Sequence, residues 1–352
     1  AYRAIRFDTL LLLFGMMLVV ANLRLSGFFA IVSRWAVKNA HRPIALMAAI
    51  ALVAGVFSAF FVNDTMCLVL APLVLDIAAA LRRNPIPYLL AVAMAANVGS
   101  IATITGNPQN MMIGSFSGIS YREFAAALTP VAMAGLIVTI GVIALVYRSE
   151  FRAGEPLSLD PGPAPYHRLL LWKSVAVSAA MIGLFFSGWP APKVAIVAGA
   201  ALLLTRQVKP EKIYRQIDWP LLAMFAGLFV VIAGLEKTPW FAVLPAQVSQ
   251  LRLDNTGILS AASAILSNVV SNVPAVLIFR PFLEHVANPH RAWLALAMSS
   301  TLAGNLTLVG SVANLIVVQK ARSVVEITFW EYMKAGAPIT MITLLIGIWL
   351  LR

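Results

Sequence analysis

Two stretches, Ser58-AFFV-Asn63-DTMCLVLA-Pro72 and Ser267-NVVS-Asn272-VPAVLIFR-Pro281, lie 209 residues apart and share Ser, Asn and Pro in register. Each is an apolar run interrupted at its centre by polar residues. Further matches follow in order at nearly the same spacing: Asp8 with Asp218, Asn97 with Asn305, Glu123 with Glu331, and Pro130 with Pro338. Gly106-NPQ-Asn110 meets Gly310-SVA-Asn314 at a spacing of 204, so the first half has four extra residues just before that point. Chance matches within apolar sequence are common, but an ordered series of polar, Gly and Pro matches signals an internal repeat.

Around these stretches the chain is 61% hydrophobic and 11% charged over 352 residues, against roughly half and a quarter for a soluble domain. The apolar runs (8–27, 43–62, 66–81, 87–104, 111–119, 123–147, then 169–187, 193–207, 219–237, 257–271, 273–284, 291–308, 315–323 and 329–351) are continuous rather than alternating. They predict an all-α polytopic membrane protein and exclude an outer-membrane barrel. Runs too short to span alone predict re-entrant or interrupted helices. The Pro- and Gly-rich stretch 148–168 reads as a linker between repeat 1 (1–147) and repeat 2 (169–352). The second half has two apolar runs ahead of Asp218 and the first has none ahead of Asp8, which predicts one or two further N-terminal helices in the natural protein.

Lys and Arg outnumber Asp and Glu by 26 to 14. In a soluble chain this would raise nucleic acid as a partner; here it reads as cytoplasmic loops instead. With the first hairpin inside, 16 basic residues fall in inner segments and eight in outer ones. The two halves then face the bilayer in opposite senses, an inverted-topology repeat, with residues 148–168 cytoplasmic. Cys67 is the sole cysteine, so neither a disulfide nor a thiolate metal cluster is available within the chain. There is no HExxH, GxSxG or P-loop motif. An ATP-driven pump and an enzyme are both disfavoured, and no cofactor is expected beyond H+ or Na+ as coupling ion.

Each repeat has two polar interruptions: Asn63-Asp64-Thr65 with Ser271-Asn272-Val273-Pro274, and 105–110 with 309–314. Unwound backbone in hydrocarbon is tolerated only where protein buries it or a wet cavity lines it, and duplicated breaks point to a transport site at the repeat interface. Asp64 is the main functional candidate, since a mid-segment acid costs on the order of 3 kcal/mol unless paired, hydrated or protonated. The plain alternative is an N-cap for the helix starting near Thr65. Asp8, Asp218, Glu123 and Glu331 read as helix caps, and Arg280 as paired with Glu284. Asn97 and Asn305 read equally as packing hydrogen bonds or site walls.

FVNDTMCLVLAPLVL, ANVGSIATITGNPQNMMIG followed by SYREF, SNVVSNVPAVLIF and GNLTLVGSVANLIV together resemble the ion transporter superfamily. It includes arsenite efflux permeases, silicic-acid efflux transporters, NhaD-type sodium/proton antiporters and divalent-anion/sodium symporters. The likeness covers nearly the whole chain and is closest to the silicic-acid and arsenite efflux branch. It implies two inverted repeats, each with a re-entrant hairpin and a broken helix, in an elevator-type homodimer of the cell inner or plasma membrane.

By motif, Asn63, Asn272, Gly106 and Gly310 match positions that build cation or substrate sites in relatives, including a possible Na+ site. Thr65, Thr105, Asn107, Asn110, Ser271, Ser311 and Asn314 match neighbouring positions. Dicarboxylate symporters carry Ser-Asn-Thr at both tips. The departures here argue against a carboxylate site and for Asp64 as a proton carrier or cation ligand.

One cysteine cannot hold arsenic through three sulfurs. A metalloid would travel as its neutral hydroxide, held by hydroxyl, amide and backbone groups. The expectation is proton-coupled efflux of a small oxyacid such as arsenite or silicic acid. A sodium-coupled anion or dicarboxylate carrier, or a sodium/proton antiporter, is the alternative.

Overall fold

A computed structural model describes residues 4–152, 166–204, 208–235, 237–238, 252–283 and 286–352. Among these the chain is helical, with no strand. The first half runs α1 (Phe7–Leu25), α2 (Phe28–Asn39), α3 (Pro43–Phe61), α4 (Asn63–Ala80), α5 (Pro85–Ser100), a 3-10 turn (Ile104–Gly106), α6 (Pro108–Ser117), α7 (Tyr121–Val146) and the short α8 (Arg148–Arg152). Then come α9 (Arg168–Phe186), α10 (Ala191–Leu204), the short α11 (Pro210–Tyr214) and α12 (Trp219–Leu235). The second half closes with α13 (Thr256–Val270), α14 (Asn272–Leu283), α15 (Pro289–Ala303), a 3-10 turn (Leu308–Gly310), α16 (Val312–Ala321) and α17 (Phe329–Leu350).

The series α3 to α7 is thus repeated, element for element, by α13 to α17. Among the described residues, six helices are long and apolar enough to cross a bilayer: α1, α3, α4, α7, α9 and α17. The chain is a multi-pass membrane protein. The apolar runs match these helices to within a few residues at each end. Of the described helices, three lie outside the apolar runs: the short α8 at the start of the expected linker, the short α11, and 28–39, which is the amphipathic helix α2, entered through Gly27 at φ 86. Its buried face, including Phe29 and Val37, kept Arg34 and Lys38 from marking a loop. The linker lies outside the described residues from 153 to 165.

The repeat governs the packing. α3 lies along α5 as α13 lies along α15, and α7 meets α17 between the halves. α1 packs along α10, where Gly15 permits the approach: a Cβ there would sit 2.7 Å from the Ala195 carbonyl oxygen. Matching helices start with matching caps. Ser120 and Glu123 form a capping box at α7, and Thr328 accepts from the Glu331 amide at α17. Glu331 also holds Lys334 at 2.7 Å and accepts from the Tyr147 hydroxyl at 2.8 Å.

Asp218 caps α12 through the Leu221 amide at 3.0 Å. Asp8, in contrast, sits in the first turn of α1 without a capping bond, where only the helix dipole favours it. Arg280 lies over the Phe116 ring at 4.6 Å; Glu284, its expected partner, lies outside the described residues.

Candidate functional site

Both hairpin tips turn on a single residue. Val62, between α3 and α4, has φ 61, and Ser271, between α13 and α14, has φ 75. Neither is glycine, and a β-branched residue at positive φ costs on the order of 1–3 kcal/mol. The strain recurs at repeat-related positions and starts α4 and α14 on Asn63 and Asn272. The sequence pointed to Ser271 only through its neighbours and gave no signal for Val62.

Both helix breaks close in the same way. Asn110 Nδ2 donates to the carbonyls of Ser100 and Thr103, each at 3.1 Å. Asn314 Nδ2 donates to those of Gly304 at 2.7 Å and Thr307 at 3.2 Å, the same two relative positions. Gly106 and Gly310 sit on these loops against backbone. A Cβ on Gly106 would overlap the Ser100 carbonyl, and one on Gly310 would sit 3.0 Å from the Gly304 carbonyl. Close approach is therefore a sufficient reason for both glycines.

The halves are joined by asparagines. Asn97 Nδ2 donates to Asn305 Oδ1 at 2.8 Å and to Asn314 Oδ1 at 3.0 Å. Asn97 Oδ1 accepts from Asn63 Nδ2 at 2.9 Å and Ser311 Oγ at 3.1 Å. Asn305 Nδ2 in turn donates to the Met94 carbonyl at 3.1 Å. The helices that carry them match at a spacing of 204, cap for cap (Asn84 with Asn288, Thr103 with Thr307), so the counterpart of Asn97 is Thr301. The pairing of Asn97 with Asn305 expected from the sequence does not hold; the two bond to each other across the halves all the same. The repeat spacing had picked them out, but nothing local to the sequence favoured the site over ordinary packing.

The remaining candidates divide. Thr105 pairs with the Tyr121 hydroxyl at 2.8 Å and Thr103 at 3.2 Å, and Thr103 donates to the Ala59 carbonyl. Asn107 caps α6 through the Asn110 amide at 2.8 Å and donates to Ser100 Oγ and Thr301 Oγ1. These side chains are committed to protein. Three carbonyl oxygens are not: Asn63 Oδ1, Asn110 Oδ1 and Asn272 Oδ1 are buried without a hydrogen-bond partner. So are the hydroxyls of the repeat-related Ser58 and Ser267.

Asp64 lies in the first turn of α4, half-buried, while Val62 holds the cap position without a side-chain capping bond. Asp64 is therefore not the N-cap. The Ala313 amide, in the first turn of α16, donates to Ser311 Oγ at 3.2 Å and faces the Asp64 carboxylate. The acid thus adjoins the hydroxyl that donates to Asn97.

Asp64 and Thr65 line a cavity of about 60 Å³ with Arg24, Gln216 and Asp218. A larger cavity of about 310 Å³ is lined by Asp8, Thr9, Ser115 and Tyr121 and reaches the first break through Ile104. The two touch α1 at opposite ends, Asp8 and Arg24, about 24 Å apart along the helix. Among the described residues, no group of three His, Cys, Asp or Glu is placed to hold a metal ion.

Comparison with known proteins agrees with this architecture. The chain is 32% identical over 365 residues to an uncharacterized transporter of Mycobacterium tuberculosis (strain ATCC 25618 / H37Rv), covering 97% of this chain and 85% of that protein. It is 30% identical over 422 residues to the silicon efflux transporter LSI3 of Oryza sativa subsp. japonica, covering 99% and 87%. The Alcanivorax borkumensis YdaH transporter, of unusual topology, shares the fold with a TM-score of 0.64 at 14% identity over 98% of this chain and 84% of that one. The family model for citrate transporters, CitMHS, matches residues 1–303. With the duplicated hairpin and break, these findings show that the chain is a membrane transporter of the citrate transporter (CitMHS) family, within the ion transporter superfamily.

Proposed function

We propose that this transporter exports a small neutral oxyacid, such as arsenite or silicic acid, in exchange for protons, with Asp64 as the proton carrier. The observation that carries the substrate reading is the set of unpartnered oxygens on Asn63, Asn110 and Asn272. An unmade hydrogen bond at a buried carbonyl costs about 1–3 kcal/mol. A ligand rich in O–H donors removes that cost, whereas a bare anion brings only acceptors. Both Asn110 amide hydrogens and one of the two on Asn63, which an anion would need, already serve the loop carbonyls and Asn97. The similarity to a silicon efflux transporter points the same way.

Coupling runs through Ala313. An ionised Asp64 competes with Ser311 for the Ala313 amide, and a protonated one releases it. Ser311 also bonds Asn97, so the charge at Asp64 is felt by the amide network between the halves. The cavities at opposite ends of α1 suit access from alternate sides. In this reading the halves are inverted repeats with re-entrant hairpins, working by an elevator motion in a homodimer, with the linker cytoplasmic.

The same unpartnered oxygens also suit Na+, which makes a sodium-coupled anion or dicarboxylate carrier, or a sodium/proton antiporter, the second reading. Flux into proteoliposomes of arsenite, germanic acid, citrate and phosphate, each under a proton or a sodium gradient, separates the two. Proton-driven accumulation of arsenite or germanic acid supports the proposal. Sodium-driven citrate or phosphate flux without either oxyacid overturns it.

A further inference from the structure

We propose that Asp218 is the outer member of a two-carboxylate inlet through which protons reach Asp64 from the α11–α12 side. This rests on Asp64 as the proton carrier and adds a residue and a route to it. Asp218 is exposed at the start of α12, 154 residues along the chain from Asp64. Its capping bond to the Leu221 amide engages Oδ1, and Asn or Ser at the same position would cap equally well. The capping bond itself does not need the negative charge of Asp218, which the dipole of α12 favours weakly at so exposed a helix start. That charge faces the cavity that Asp64 lines half-buried from within the membrane, and the two carboxylates are close enough to interact electrostatically.

The cavity has room for water and the polar groups to hold it: Asp64, Thr65, Gln216 and Asp218. Apolar side chains such as Met17, Leu68 and Leu221 make up most of the wall, and the polar groups among them give water between the aqueous face and the carrier acid its hydrogen-bond partners. Arg24 completes the mouth. Its guanidinium donates to Gln216 Oε1 at 2.7 Å, which fixes it on the wall beside Asp218. The inlet is thus acidic from mouth to end, with one cation tethered at the rim.

The charged lining comes from three elements: Arg24 of α1, Asp218 before α12 and Asp64 of α4. Cys67 lies one turn further along α4. Of the elements packed on α4, α3 carries no titratable residue; Tyr88 of α5, Arg34 and Lys38 of α2 and Lys320 of α16 do not line the cavity.

The test reads the local charge at the inlet and needs no substrate. A Thr65→Cys substitution on a Cys67→Ala background places the only thiol on the cavity wall. It is labelled with a cationic and an anionic membrane-impermeant methanethiosulfonate in sealed vesicles of both orientations. The expected result is reaction from one face only, the face labelled by an Arg215→Cys control, with the cationic reagent faster. Asp218→Asn, which keeps the cap, should cut the cationic-to-anionic rate ratio about fivefold or more, because loss of one negative charge slows the cationic reagent and speeds the anionic one. Arg24→Gln should raise it.

Reaction from the opposite face, no reaction from either face, or a ratio unmoved by Asp218→Asn overturns the inlet. Proton-driven flux that survives Asp64→Asn overturns the carrier reading instead, so the two failures are distinct.

Discussion

The two helix breaks share a backbone and differ in what their side chains do. In both, one asparagine amide ties two loop carbonyls, and a glycine lets the loop pass against the preceding helix end. The first break is otherwise polar and buried: Thr103, Thr105 and Asn107 all bond to protein. The second carries Thr307, Val309 and Ser311 at those places, and Val309, where the first has the buried Thr105, is 60% exposed. Likewise α4 packs along α16, whereas its counterpart α14 meets α6 over a much shorter length. Duplication preserved the frame that unwinds the helix, and divergence left one break packed and the other more open.

That difference predicts unequal responses to equal substitutions. The largest is expected at glycine. Gly106→Ala drives a Cβ into the Ser100 carbonyl and should cost about 3 kcal/mol or more, with loss of transport. Gly310→Ala, with a longer approach to Gly304 and otherwise side-chain neighbours, should cost about 1–2 kcal/mol. Thermal unfolding in detergent compares the two, and equal losses would break the asymmetry.

Next come the central asparagines. Asn97→Ala strands Asn63, Ser311, Asn305 and Asn314 together and should cost about 3–4 kcal/mol, whereas Asn305→Ala, with two side-chain bonds to lose, should cost about 1–2 kcal/mol. The smallest effect is a gain. Ser271→Gly removes strain at an exposed positive-φ tip and should stabilise by about 1 kcal/mol. Val62→Gly relieves the same strain but gives up a buried side chain, so its net effect should stay within about 1 kcal/mol of zero.

Much of this frame was legible in the sequence because helices, breaks and the repeat are written in local pattern. The pairs Asn63/Asn272, Gly106/Gly310 and Asn110/Asn314 stood in register, and each occupies the expected tip or break. What was not legible depends on contacts between distant segments. An asparagine in an apolar helix looks the same whether it bonds one neighbour or joins two halves, so Asn97 stayed ambiguous until α5 met α15 and α16. Asp218 read correctly as a cap, but its nearness to Asp64 is a product of α1, α4 and α12 packing together. The positive φ of Val62 opposes its own intrinsic preference, so no propensity argument could have found it. Thr105 and Asn107 were singled out by their place in a polar interruption and by the motif resemblance; only their partners, Tyr121, Ser100 and Thr301, show that they hold the loop.

The central claim is that a proton on Asp64 drives an uncharged hydroxylated cargo, and its most direct test is arsenite and germanic acid accumulation in proteoliposomes under an imposed pH gradient, for wild type and Asp64→Asn. The account predicts accumulation against concentration in the wild type, and in the variant only equilibration or no flux. Accumulation undiminished in Asp64→Asn, or driven by sodium with no response to the pH gradient, would contradict it.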